Sequence, residues 1–211
     1  MKLPTHGGKR VGAGRKSAGL KAGVCHAARP GLSRHHPVHV TLRVRREVWH
    51  LRSRRCFRAI AKAFADGKRR AGFGLIHFSV QGNHLHLIVE AEDAVRLARG
   101  IQDLTIRIAR ALNRVMQRRG KVFADRYHAH VLKSPRETAH AVAYVLGNFA
   151  RHAARWGKKI ARTWLDPYSS AAHQSSATAT PPDDLSVLPR TWLLRVGGKR
   201  PNVSAGNPRQ R

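Results

Sequence analysis

The sequence predicts an α+β fold of the ferredoxin-like type, with the order β-α-β-β-α-β followed by one more helix. Two observations support this prediction. Four stretches alternate apolar and polar residues, which is the period of a strand, and three longer stretches repeat apolar residues at the period of a helix. Their order along the chain then predicts an antiparallel sheet with two helices on one face and an open second face.

The first strand and the first helix follow a basic N-terminal segment. In HPVHVTLRV, valines and a leucine alternate with His39, Thr41 and Arg43, which predicts a strand. Ser53 is a suitable N-cap for the helix that comes next. The apolar residues of that helix recur at helical spacing, and they are Cys56, Phe57, Ile60, Ala61 and Phe64.

Two further strands form a predicted hairpin. In LIHFSV, the apolar residues Ile76, Phe78 and Val80 alternate with polar ones, so we expect all three on one face. The QGN segment at 81–83 lies where a hairpin turn is expected. The returning strand is then HLHLIVEA, residues 84–91.

The second half of the predicted domain contains a long helix, a strand and a last helix. Asp93 can cap the long helix, and Gly120 ends it. The strand that follows is predicted within KVFADRYHAHVL, residues 121–132. SPRE at 134–137 combines a serine cap, a proline at the first helical position and a glutamate three residues after the cap, which is a strong start signal. The last helix continues through residues 138–156.

The charge balance is the strongest compositional signal in this chain of 211 residues. Lys and Arg number 41 against 11 Asp and Glu, a formal net charge of +30. Such a field favours polyanions, and nucleic acid is the first expectation. A membrane surface fits less well, because the basic residues are spread along the chain rather than concentrated on one amphipathic helix.

The cysteine content and the N-terminus bear on the compartment. Cys25 and Cys56 form no closely spaced pair, which favours two free thiols in a reducing environment. The basic start of the chain lacks the apolar run of a signal peptide, and no apolar stretch approaches the roughly 20 residues that span a bilayer. We therefore expect a soluble protein of the cytoplasm, without a membrane partner.

Composition divides the chain into three parts. Residues 1–36 are rich in Gly, Arg, Lys and Ala and are expected to form a flexible basic arm that lies along phosphates or enters a minor groove. A disordered solubilising tail explains the same composition. Residues 37–166 form the expected domain, and 167–211 are expected to be a linker and a poorly ordered basic tail.

The histidines of the returning strand are candidate metal ligands. Strand geometry places Leu85 and Leu87 on the helix-covered face and His84 and His86 together on the other, with Cβ atoms roughly 7 Å apart. Two neutral imidazoles at this distance can bind one divalent ion if at least one further ligand joins them. The alternative is a half-buried strand whose polar residues face solvent.

Two other groups of histidines are weaker candidates. His128 and His130 in RYHAH have charged neighbours and no hairpin turn before them, which favours a solvated or phosphate-contacting strand face over a metal site. HHPVH at 35–39 crosses a boundary between loop and strand, so its side chains share no defined face.

The last helix places a tyrosine among polar residues. With Val142 at zero and 100° per residue, Tyr144 lies at about 200° and Asn148 at about 240°, opposite the apolar stripe and beside Arg151 and Arg155. A tyrosine activated by positive charge or a metal can attack a phosphodiester, although a surface tyrosine can also stack on bases without chemistry. The remaining members of the stripe are Val145, Leu146, Phe149 and Ala153.

Three stretches together resemble one family. GNHLHLIVEA, VFADRYHAHVLKSPRE and AYVLGNFARH are similar to the Y1 HUH (IS200-like) transposases, and within them to the group associated with repetitive extragenic palindromes. VGAGRKSAG in the arm and DPYSSA at 166–171 fit the same group, so the resemblance covers roughly residues 8–171. Two features depart from the pattern. The C-terminal RVGGKRPNVSAGNPRQR does not continue it, and Gly147 weakens the last helix by up to roughly 1 kcal/mol relative to Ala.

The resemblance implies a metal-dependent enzyme that breaks and joins single-stranded or hairpin DNA, with the last helix as its catalytic helix. It implies that His84, His86 and Asn148 hold Mg²⁺ or Mn²⁺ and that Tyr144 attacks the phosphate, giving a 5′-phosphotyrosine and a free 3′-hydroxyl. The residues expected to contact DNA are Arg10, Arg15, Lys16, Arg43, Arg126, Arg151 and Arg155.

Other functions remain open at this stage. A non-catalytic nucleic-acid binder of the same fold explains the charge equally well. A zinc hydrolase needs a further ligand, and Glu90 lies roughly 13 Å beyond His86 along the strand. Relaxases and replication initiators use related chemistry but are usually longer and lack such an arm. A single sequence also leaves open whether the chain is a monomer or a homodimer, and whether the tyrosine works on its own subunit or on a partner's.

Overall fold

A computed structural model describes residues 31–161, 163–174 and 185–197. The strands are β1 Val38–Arg43, β2 Arg69–Arg70, β3 Phe73–Val80, β4 His84–Ala91 and β5 His128–Val131. The helices are α1 Arg54–Gly67, α2 Ala94–Val115, α3 Pro135–Arg155, α4 Ser170–Gln174 and α5 Trp192–Arg195. The strands form one antiparallel sheet in the order β2-β3-β4-β1-β5. The four longer strands have the ferredoxin-like order, so the predicted fold class is confirmed.

Each of the three long helices begins at the residue that the sequence predicts. Ser53, Asp93 and Ser134 are the N-caps, and each side chain accepts a hydrogen bond from the backbone N–H three residues ahead. In α3, Glu137 also reaches back and accepts a hydrogen bond from the backbone N–H of Lys133. These contacts satisfy backbone donors that a helix N-terminus otherwise leaves unpaired.

The main core lies between one face of the sheet and helices α1 and α2. Leu85, Leu87 and Val89 point into it, as strand alternation predicts for β4. Its other large members include Val40, Leu42, Phe64, Phe78, Ile101, Leu104 and Ile108. This core holds β1 and β4 side by side and thereby fixes the positions of the polar residues on their opposite face.

The second face of the sheet is covered, and the expectation of an open face is wrong. Helix α3 lies on this face, against β3 and β4, and α5 lies beside α3. The buried apolar residues between them are Ile76, Ile88, Leu132, Val145 and Leu194. Helix α3 shields the apolar residues of this face from water, which stabilises the packing of a helix on the sheet.

A β-bulge changes the face on which Ile76 lies. The pairing of β3 with β4 passes from Leu75 opposite Val89 to His77 opposite Ile88, which leaves Ile76 as the extra residue. Ile76 therefore packs on the second face beneath α3, whereas Phe78 and Val80 belong to the main core. The prediction that the three residues share one face is wrong for Ile76.

Part of the segment expected to be a poorly ordered tail instead packs on the domain. Within residues 185–197, Leu193 and Leu194 are buried, and the buried carboxylate of Glu90 accepts hydrogen bonds from the backbone N–H of Arg190 and Thr191. The expectations for residues 1–30, 175–184 and 198–211 fall outside the described residues.

Among the described helices, none is long and apolar enough to cross a membrane. Cys56 is buried in the main core with a free thiol. Cys25 lies outside the described residues, so the expectation of a second free thiol stays a prediction.

Candidate active site

Polar residues of β1 and β4 meet on the second face of the sheet, next to α3. The two strands pair antiparallel, with Thr41 opposite His86 and Arg43 opposite His84. Because apolar residues alternate with these polar ones and point into the main core, the polar set shares the other face. His39, two residues before Thr41, belongs to the same row.

His86 is the most enclosed of these side chains, with 5% of its surface exposed. Its Nδ1 lies 3.1 Å from Nε2 of His39 and 3.2 Å from the hydroxyl oxygen of Thr41. Its Nε2 is buried and has no hydrogen-bond partner among the described residues. One ring nitrogen is thus engaged by β1, and the other is available to a ligand.

Burial keeps these imidazoles neutral. Burial, followed by repulsion from His84, His39 and His152, lowers the pKa of His86 to about 3. Burial is also the main cause that lowers the pKa of His39 to about 4, and it lowers the pKa of His84. A neutral imidazole has a free lone pair, which is the form that binds a metal.

Tyr144 on α3 stands against this row of histidines. Its ring is edge-on to the ring of His86, with centroids 5.2 Å apart, and to the ring of His39, with centroids 6.0 Å apart. The side chain remains 36% exposed, so DNA could reach it. The guanidinium carbon of Arg151 lies 5.8 Å from the centre of the same ring. The phenol ring therefore lies next to neutral imidazoles and near the positive charge of an exposed arginine.

Asn148 lies one turn after Tyr144 but is buried, with 1% of its surface exposed. The prediction that it occupies the solvent side of the helix is wrong. The buried residues of α3 are Thr138, Val145, Asn148 and Ala153, and at 100° per residue the face that they form is rotated by roughly 50° from the predicted stripe. Both polar atoms of the Asn148 amide are buried without a hydrogen-bond partner among the described residues.

These residues fit a divalent cation. No three His, Cys, Asp or Glu side chains form a metal cage anywhere in the part of the chain that is described. However, His86 Nε2 and the amide oxygen of Asn148 are both buried and unpartnered, and the ring of His84 lies 4.8 Å from that of His86, centre to centre. Imidazole nitrogen and amide oxygen are both ligands for divalent ions such as Mn²⁺ and Mg²⁺.

The second pair of histidines lies at the sheet edge. His128 and His130 on β5 are both exposed, and His130 is hydrogen-bonded to the carboxylate of Glu137 at the start of α3. Across β1 they lie opposite Thr41 and His39. They therefore border the site without joining the buried group around His86.

Arg43, Arg151 and Arg155, three of the predicted DNA-binding residues, lie around this site. Arg43 is exposed at the end of β1, opposite His84. Arg151 lies beside Tyr144, and Arg155 is exposed in the last turn of α3. The three predicted contacts that fall outside the described residues are Arg10, Arg15 and Lys16.

Two residues considered from the sequence lie away from the histidines. Arg126 lines a different cavity, with Val95 and other residues of α2. The carboxylate of Glu90 is engaged by the backbone N–H of Arg190 and Thr191. Glu90 was the one further ligand considered for a zinc hydrolase. Its carboxylate is hydrogen-bonded to the C-terminal segment instead, which disfavours that role.

Sequence reasoning ranked His39 only as a weak candidate, and it missed Thr41 and His152 as members of the site. A signal for the first two was present, because they alternate with valines in the same strand period that singled out His84 and His86. What the sequence lacked was the pairing of β1 with β4, which brings the two rows together.

The family model described as "Transposase IS200 like" matches residues 33–148, which include His84, His86, Tyr144 and Asn148. A solved structure of a REP-associated tyrosine transposase bound to a REP hairpin is similar to this chain, with a TM-score of 0.55 and 14% identity over 79% of this chain and 92% of that one. This likeness shows the fold. A candidate transposase from Deinococcus radiodurans R1 is more distant, with a TM-score of 0.39 and 12% identity over 65% of this chain and 96% of that one. No curated protein sequence matches the chain.

Proposed function

The chain belongs to the IS200-like transposase family, and we propose that it cleaves and rejoins single-stranded DNA, in particular hairpin-bearing strands, through a tyrosine-linked intermediate. One observation carries this proposal. Tyr144, partly exposed, stands edge-on to His86 and one helical turn from Asn148, and both of those residues hold buried polar atoms without a partner among the described residues. A fold alone does not require this arrangement.

In the proposed reaction, the phenol oxygen of Tyr144 attacks a phosphorus atom of the DNA backbone. A bond forms between the Tyr144 oxygen and phosphorus, and the bond from phosphorus to the 3′-oxygen breaks. The phenol gives up its proton and the departing 3′-oxygen takes one up, so the products are a 5′-phosphotyrosine and a free 3′-hydroxyl. Attack by a 3′-hydroxyl on the phosphotyrosine reverses these steps and joins two strands.

His84, His86 and Asn148 are the residues that would hold Mg²⁺ or Mn²⁺. An ion held there would polarise the scissile phosphate and would stabilise the negative charge that develops during attack. The protein's part is to keep the imidazoles neutral by burial and to orient the ring of His86 through His39 and Thr41.

Basic residues around the site would hold the phosphate backbone. Arg151 lies close enough to Tyr144 to neutralise a phosphate beside the attacked one, and Arg43 and Arg155 extend the positive surface. Contacts of this kind release counterions, so we expect the affinity for DNA to fall steeply with salt. Arg10, Arg15 and Lys16 of the arm, and Arg126, would add further phosphate contacts. Such a protein would act at the nucleoid in the cytoplasm, as a monomer or a homodimer.

A cleavage assay tests this proposal. The substrate is a single-stranded oligonucleotide carrying the hairpin-bearing sequence next to the protein's own gene, incubated with Mg²⁺, Mn²⁺ or a chelator. We expect a metal-dependent, denaturation-resistant protein–DNA band that protease removes and that Tyr144→Phe abolishes. The chain contains three tyrosines, so Tyr127→Phe and Tyr168→Phe are matched controls that should keep the band.

Two results would contradict the proposal. A band that persists in Tyr144→Phe would assign the nucleophile to another residue. Tight, salt-sensitive binding without a covalent band under any metal would make the chain a non-catalytic DNA-binding relative of the family, with unused histidines.

A further inference from the structure

A cavity of about 480 Å³ lies directly beside the candidate active site, between the 81–83 turn and the C-terminal end of α3. Its volume falls in the range of roughly 300–1,000 Å³ that is typical of small-ligand pockets. The residues that matter most for its chemistry are His50, Arg52, His84, Phe149, His152 and Trp156. His84 therefore lines both the cavity and the candidate metal site.

The outer wall of the cavity is aromatic. Trp156 follows the last turn of α3 and is 71% exposed, a large apolar side chain left in solvent at the rim of a cavity. The ring of His152, one turn earlier, lies 6.3 Å from it with an angle of 36° between the planes. Exposed aromatic faces beside a cavity are suited to stacking on a planar ligand.

The inner wall is planar and firmly held. The guanidinium carbon of Arg52 lies 3.8 Å above the centre of the Phe149 ring. Two hydrogen bonds of 2.9 Å join Arg52 to the buried carboxylate of Asp166, and a third goes to the backbone oxygen of Val80. This stack does not have to be ordered when a ligand binds, which lowers the entropic cost of binding.

The charge and polarity of the lining also point to one class of ligand. None of the described lining residues is acidic, and the amide side chains of Gln81 and Asn83 lie among them. Amide groups can form hydrogen bonds with the polar edge of a base. Because the described lining contains no carboxylate, it does not repel the negatively charged DNA backbone. A base reaches such a cavity only when it is unpaired, because pairing occupies its polar edge.

We propose that this cavity binds one unpaired base of the DNA strand, immediately next to the phosphate held at His84, and that Trp156 stacks on it. The inference rests on the proposed function, because it takes its ligand from the strand that the active site would cleave. It adds that the protein itself would recognise the base at one nucleotide beside the cleavage point.

The test is a binding measurement that requires no cleavage. Fluorescence anisotropy in chelator, with the Tyr144→Phe protein, gives the Kd of the labelled hairpin oligonucleotide and of versions carrying one abasic nucleotide at each single-stranded position. We expect Trp156→Ala to weaken binding by about fivefold or more, as loss of one stacked base does. One abasic position should produce the same loss, and combining it with Trp156→Ala should add nothing further.

Matched variants separate stacking from other effects. Trp156→Phe keeps an aromatic face and should recover most of the affinity. Trp49→Ala removes another part-exposed tryptophan, one that does not line the cavity, and it should bind like the parent protein. The proposal would be overturned if Trp156→Ala caused no loss of affinity. It would also be overturned if the loss from Trp156→Ala added to the loss from every abasic position.

The two proposals can fail separately. If the wild type forms no covalent DNA product but the losses from Trp156→Ala and from one abasic position do not add, the proposal for the cavity stands and the proposal of cleavage fails. If a Tyr144-dependent covalent product forms but the losses of affinity from Trp156→Ala and from every abasic position add, the proposal of cleavage stands and the proposal for the cavity fails.

Discussion

His39 Nε2 lies 3.1 Å from His86 Nδ1, although the two residues are far apart in the chain. The hydroxyl of Thr41 lies 3.2 Å from the same nitrogen. Together they fix the orientation of the His86 ring and engage Nδ1, which leaves the buried Nε2 for a ligand. Partners of this kind around a metal-binding histidine set its tautomer and its basicity.

Removing these partners should weaken metal binding without removing a ligand. His39→Phe keeps a ring of similar size, and Thr41→Val keeps the shape of the side chain. We expect each to lower the affinity for Mn²⁺ by about 10- to 100-fold, measured by calorimetry on DNA-free protein. His140→Ala, an exposed change on α3, is the control. Wild-type affinity in both His39→Phe and Thr41→Val would show that β1 does not position His86.

Acid should destabilise the metal-free protein through the same residues. The pKa of His39 is lowered from 6.5 to about 4 and that of His86 from 6.5 to about 3. As the pH falls below 6.5, the unfolded chain takes up protons that the folded protein does not, so the free energy of unfolding decreases. The slope should approach about 1.4 kcal/mol per pH unit for each histidine.

Urea denaturation in chelator, repeated at pH values from roughly 7 down to 5, measures that slope. His39→Phe removes one of these contributions and should therefore flatten the dependence, whereas those of His86 and His84 remain. An unchanged slope in this variant would mean that His39 takes up a proton equally in the folded and unfolded states.

Asp166 should be far more important for stability than a carboxylate in a surface ion pair. Its bridge to Arg52 is buried, with 1% and 9% of the two side chains exposed. Asp166→Asn leaves a buried guanidinium without its counter-charge and should cost about 3–5 kcal/mol in the free energy of unfolding. Glu47→Gln breaks the exposed bridge to Arg45 and should change the free energy of unfolding much less, because solvent screens an exposed ion pair. Similar losses for the two variants, measured by urea denaturation, would contradict this account.

Two helical glycines should respond in opposite directions to alanine. A Cβ at Gly147 meets nothing within 4 Å, so Gly147→Ala should stabilise α3 by up to about 1 kcal/mol. A Cβ at Gly100 comes within 2.3 Å of the Phe73 ring, so Gly100→Ala should destabilise the protein by about 1–3 kcal/mol. Thermal unfolding of both variants checks the two signs.

Gly147→Ala also tests a hypothesis about movement of α3. If strand joining needs a flexible tyrosine helix, this variant should cleave DNA normally but rejoin it more slowly. Equal rates of joining in the variant and the wild type would leave Gly147 without a role in movement.

The sequence by itself determined the features that a few neighbouring residues encode. Ser53, Asp93 and Ser134 start helices because a cap needs only its own side chain and a backbone N–H three residues away. The placement of His84 and His86 on one face follows from the alternation of a single strand. The order of these local elements sufficed for the fold class.

Only the tertiary structure decided how these elements meet. The contact of His39 with His86 depends on the register of β1 against β4, and the burial of Asn148 depends on which face of α3 packs on the sheet. The bulge at Ile76 supplies part of the apolar surface that holds α3 there. Each of these is set by packing between residues distant in the chain, where the free energy of the whole core outweighs the local pattern.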